Sequence, residues 1–81
     1  MQIKIRLFAV LKEVVGKESL DLELSPDASC AQAISILERE YEDLGPILKR
    51  SLVAINGVYA NRQDALSERD ELAILAPVSG G

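Results

Sequence analysis

The chain has no histidine, no tryptophan and a single cysteine, Cys30. Without imidazole there is no histidine general base and no histidine metal ligand. One thiol permits neither an internal disulfide nor a cysteine zinc cage. Aromatics are scarce, one Phe and two Tyr, so the core must rest on Ile, Leu and Val. No apolar run approaches the roughly 18 residues of a membrane span. The opening Met1-Gln2-Ile3-Lys4-Ile5-Arg6 alternates instead of forming the apolar centre of a signal peptide. No basic run is present either: nine Lys and Arg stand against thirteen Asp and Glu, a net charge of −4. Nucleic acid and membrane are therefore not expected partners, and a cytoplasmic location is the expectation. These absences argue against catalysis by this chain alone.

What is present is an 81-residue chain with 48% apolar residues, enough for one domain. Gln2 to Phe8 alternates as a half-buried strand, with Ile3, Ile5 and Leu7 on one face and Lys4, Arg6 and Phe8 on the other. Ala9 to Val15 shifts to helical spacing through Val10, Leu11, Val14 and Val15, and Gly16 follows as a C-cap. Leu20, Leu22 and Leu24 mark a second strand. Ser29 with Gln32 forms a capping-box pattern that opens the main helix. Cys30, Ala33, Ile34, Leu37 and Tyr41 share its inner face, which makes Cys30 a buried structural thiol. Leu44-Gly45-Pro46 is expected to end this helix, with one further turn over Ile47 to Arg50. Leu52 to Ile55, Asn56-Gly57 and Val58-Tyr59 read as a hairpin with a type I′ turn. Leu66 is expected to plug the core, and Glu71 to Ala76 is the last strand.

One substantial helix covers one sheet face, so the class is α+β. Placing the last strand beside the first gives a β-grasp: a mixed sheet of about five strands on one main helix, with a short extra helix after the first strand. The domain is expected over residues 1–76 and a flexible tail over 77–81. In that arrangement Phe8, Tyr59 and Leu75 gather on the face away from the helix, near the root of the tail. An exposed apolar cluster of this kind marks a protein interface. Lys4, Arg6 and Lys12 would supply a charged rim.

The tail itself reads Pro77-Val78-Ser79-Gly80-Gly81. Pro77 removes a backbone donor and stops sheet pairing. The residues after it are small, and the segment reaches roughly 20 Å, enough to enter a narrow cleft. Its chemically useful group is the terminal carboxylate of Gly81. That group is inert until activated, and glycine leaves its carbonyl unhindered. A glycine pair at a frayed terminus is the plainer alternative.

Three stretches together carry a family resemblance. They are Leu7-Phe8-Ala9-Val10-Leu11-Lys12-Glu13-Val14-Val15-Gly16, the Val53-Ala54-Ile55-Asn56-Gly57 hairpin, and Asp70 through Gly81 with its Pro-Val-Ser-Gly-Gly ending. Over its full length the chain resembles the small, sulfur-carrier subunit of molybdopterin synthase. The resemblance implies a ubiquitin-like β-grasp and a non-catalytic role. Gly81 would be adenylated by an E1-like enzyme that uses ATP. Sulfur from a donor protein would then convert it to a thiocarboxylate. The tail (Pro77, Val78, Ser79, Gly80) would enter the large catalytic subunit, within a heterotetramer, and deliver sulfur to precursor Z. Phe8, Tyr59, Leu75 and Lys12 would contact partners; this chain would bind no cofactor and no metal. Three other readings stay open: a sulfur carrier for thiamine or another pathway, a ubiquitin-like protein modifier, and a binding module with an inert tail. The Ala9 to Val15 helix favours the molybdopterin family over the thiamine one.

Overall fold

Strict alternation builds the first strand, β1 (Gln2–Leu7), whose Ile3, Ile5 and Leu7 are almost wholly buried. A computed structural model describes residues 1–76 of the chain; the expected tail, Pro77 to Gly81, lies outside the described residues. After β1 come helix α1 (Ala9–Val15), strand β2 (Ser19–Glu23) and the main helix α2 (Cys30–Glu40). A short 3-10 turn (Glu42–Leu44) leads into helix α3 (Gly45–Arg50), followed by β3 (Leu52–Ile55), β4 (Val58–Ala60) and β5 (Glu71–Leu75).

The strands form one five-stranded sheet in the order β2-β1-β5-β3-β4. β1 and β5 run parallel, and the other neighbours are antiparallel. This is the mixed β-grasp sheet expected from element order, with the last strand at its centre. Ile3, Ile5, Leu7, Leu72 and Ile74 of the central pair join Cys30, Ala33, Ile34 and Leu37 of α2 in one buried cluster. Each buried Leu or Ile side chain contributes roughly 1.5–3 kcal/mol. Leu66 is buried in the same cluster, as its place in an otherwise polar loop indicated.

Local chemistry fixes the element ends. The Ser29 hydroxyl accepts from the Gln32 backbone N–H at 3.3 Å, and Gln32 Oε1 accepts from the Ser29 N–H at 2.8 Å. That reciprocal pair is the capping box. Gly16 closes α1 in the left-handed region, at φ +82°. Asn56 and Gly57 both have positive φ, +50° and +86°, as a type I′ turn requires. The Asn56 side chain then ties the hairpin to β5. Its Oδ1 accepts from the Glu71 N–H at 2.9 Å, and its Nδ2 donates to Asp70 at 2.9 Å.

Two expectations fail. Gly45-Pro46 does not end the main helix. α2 stops at Glu40, with Tyr41 as C-cap, and Gly45 sits at φ −46° as the first residue of α3. Pro46 occupies the first turn of α3, where its missing N–H costs nothing, because that donor has no intrahelical acceptor. α3 is therefore a helix of six residues and not one extra turn. In α1, only Leu11 is buried, with Val15 half-buried against the core. Val10 and Val14 sit one position off that stripe and are 38% and 45% exposed. A seven-residue helix has a narrow core face, and apolar spacing at both i and i+1 overstates it.

Candidate functional site

The alternation that buries Ile3, Ile5 and Leu7 turns Lys4 and Arg6 to the opposite face of the sheet. Strand register then decides what lies beside them. Arg6 pairs with Ala73, Ala73 with Ala54, and Ala54 with Tyr59. This row crosses four strands. The neighbouring row lies at the end where β5 stops. Leu75 pairs there with Leu52. The Leu7–Ile74 pairing, continued by one residue, sets Phe8 level with Leu75. Phe8 still has extended backbone (φ −130°, ψ 155°) before α1 begins, so it prolongs the strand's outer face. With strands about 4.8 Å apart, Phe8, Leu75 and Leu52 span about 10 Å.

Phe8, Tyr59 and Leu75 therefore share the face away from α2, but only Phe8 and Leu75 are neighbours; Tyr59 stands one row away, two strands from Leu75. Tyr59 is 71% exposed, Phe8 39%, and Leu75 half-buried. Leu52, at 58% exposed, belongs to it and was missed. It opens an unbroken apolar run, Leu52 to Ile55, that reads as a buried strand. The signal was nonetheless there. Counting back from the Asn56-Gly57 turn pairs Ala54 with Tyr59, and period two puts Leu52 on Tyr59's face. Between the large side chains lies a low floor of Ala73 and Ala54. Ala54 is only 7% exposed although it faces outward.

The charged groups are placed unequally. The Arg6 guanidinium stands 5.7 Å from the Phe8 ring centroid and 3.6 Å from the Glu71 carboxylate. Lys4 lies in the next row, level with Glu71. Lys12 is on α1, where its Nζ is 3.4 Å from Glu18. Cys30 is fully buried, and burial, followed by the nearby Asp64 charge, pushes its thiol pKa up. A buried, protonated thiol is a poor place to load sulfur. Among the described residues no group of three His, Cys, Asp or Glu side chains is disposed to hold a metal ion. The arrangement is an exposed, largely apolar face whose upper row lies at the end of β5.

Comparisons with known proteins agree with this geometry. The ThiS family model matches residues 5–81. The molybdopterin synthase sulfur carrier subunit of Dictyostelium discoideum is 43% identical, over 99% of this chain and 96% of its own length. The subunit of the same name from Chlamydomonas reinhardtii is 35% identical, over 100% of both chains. The crystal structure of SAMP1, a small archaeal modifier protein of Haloferax volcanii, superimposes with a TM-score of 0.86. It is 29% identical, over 100% of both chains.

Proposed function

This chain belongs to the ThiS family, and from that membership we propose that it is the sulfur carrier of a molybdopterin synthase. The observation that carries the reading is full-length similarity to named sulfur carrier subunits, at 43% and 35% identity. The fold supports it: the central strand β5 points toward the tail, and an apolar row stands beside its exit.

Gly81 is the reacting residue. Its carboxylate oxygen attacks the α-phosphorus of ATP on an E1-like partner, releasing pyrophosphate and leaving an acyl-adenylate. The terminal sulfur of a donor protein's persulfide displaces AMP, giving an acyl disulfide, and a second thiol reduces its S–S bond, forming a disulfide with the donor thiol and leaving Gly81 as a thiocarboxylate. Pro77, Val78, Ser79 and Gly80 thread this group into the large catalytic subunit, where sulfur passes to precursor Z. Phe8, Leu52, Tyr59 and Leu75 hold the carrier on that subunit, and Lys12 stands at the margin. ATP and the pterin belong to partners. The small residues of the tail matter because a narrow channel admits backbone where a Cβ would clash.

Intact-mass spectrometry after incubation with the activating enzyme, ATP and a sulfur source tests the proposal. The expected product is heavier by the difference between one sulfur and one oxygen. Deleting Gly81 abolishes that product and dithiolene formation while leaving the thermal melt unchanged. The likeness to SAMP1 supports a second reading, protein modification. Under it the same incubation, with cell extract, attaches a whole polypeptide through an isopeptide bond. Dithiolene formation by the Gly81-deleted chain overturns the proposed mechanism.

A further inference from the structure

The docking face has one cation set into its apolar part. We propose that Arg6 is an acid-reading anchor, and that a carboxylate of the large synthase subunit displaces Glu71 from it on docking. The proposal rests on the reading of this chain as a synthase carrier.

Position makes the first part of the case. Arg6 lies in the row Arg6–Ala73–Ala54–Tyr59, one step from the row at which β5 ends. The two alanines leave a shallow dish. Arg6 stands at one side of it, Tyr59 at the other, and Leu75 and Leu52 close the end near the tail. A partner side chain landing there meets an apolar floor and a guanidinium wall. A carboxylate on an aliphatic stem satisfies both. Arg and Tyr are also the residue types enriched where interface energy concentrates.

The state of the guanidinium makes the second part. The Phe8 ring, 5.7 Å away, orients it without consuming a donor. Among the described residues its one charged partner is Glu71 at 3.6 Å, too long for a good hydrogen bond, and both side chains are over 40% exposed. An exposed, loose pair of this kind contributes little. Five N–H donors in a planar fork are thus held in place but largely unspent. A bidentate partner carboxylate makes two short charge-assisted bonds where Glu71 makes one long contact. Docking also excludes water from the pair, which strengthens it. Glu71 therefore acts as a weak internal placeholder that keeps Arg6 aimed across the dish. Lys12 lacks this setting: it sits on α1, beside Glu18, outside both rows.

Calorimetric titration of the full chain into the purified large synthase subunit tests the assignment, because placeholder and anchor give opposite signs. Arg6→Gln is expected to weaken binding about tenfold or more and to flatten its salt dependence. Glu71→Gln is expected to tighten binding about two- to fivefold, since the competing carboxylate is gone. The double variant should bind like Arg6→Gln alone, because the gain from Glu71→Gln passes through Arg6. The Glu71→Gln arm decides the matter even if Arg6→Gln folds poorly in a thermal melt. Unchanged or weaker binding by Glu71→Gln, with the unsubstituted chain bound, overturns the Arg6 assignment and leaves the carrier reading standing. Absence of binding by the unsubstituted chain overturns the carrier reading and the assignment with it.

Discussion

Cys30 begins α2 with none of its surface exposed, and its raised pKa has a consequence for stability. The folded state keeps a proton that the unfolded thiol loses. Its contribution is complete below the unfolded thiol's pKa, about 8.5, and is lost as pH rises through the higher folded value. Melts of the native chain and of Cys30→Ala over pH 7 to 11 should therefore converge at the alkaline end. The difference is expected to change by up to about 1.4 kcal/mol per pH unit within that window. A constant offset across the series counts against a raised folded pKa. The burial of this thiol was legible in the sequence, because Cys30, Ala33, Ile34 and Leu37 share one helical stripe. The role of Gly45 was not. Glycine followed by proline serves a helix end and a helix start equally well, and only tertiary context chooses between them.

The ends of elements were the more legible where a side chain makes the cap itself. Ser29 and Gln32 form their box as the spacing indicates. Replacing Ser29 by Ala should cost about 1 kcal/mol, and Ser29→Asp should retain most of it. In a domain of this size that loss lowers the melting temperature by about 4–8 °C. Equal melts for both variants count against the cap. Packing faces were less legible in short elements. α1 carries five apolar residues in seven, yet only Leu11 is buried. β3 is all apolar, yet only Val53 and Ala54 are buried while Leu52 is 58% exposed. Composition indicates how much apolar surface an element has, and register decides which part of it stays in water.

At the scale of the whole molecule, element order and the single large helix were enough to indicate a β-grasp. The pairing of β1 with β5 needed the assumption that the last strand lies at the centre. That assumption holds, and it brings Phe8, Leu75 and Leu52 into line. Under the proposed function, Leu52→Glu should weaken binding to the large subunit about 10- to 100-fold. Its effect on stability should stay within about 0.5 kcal/mol, because the side chain is already mostly in water. Loss of binding with a matching loss of stability would point to misfolding instead. The central position of β5 has a further consequence. The exposed face proposed for docking draws side chains from β1, β3, β4 and β5, segments that meet only when the sheet is complete. A damaged or half-folded chain still carries Gly80 and Gly81 but has no such face to show. Under the proposed function, a large subunit that reads both rows before accepting the tail thereby inspects folding as well as identity, so that sulfur is drawn only from intact carriers.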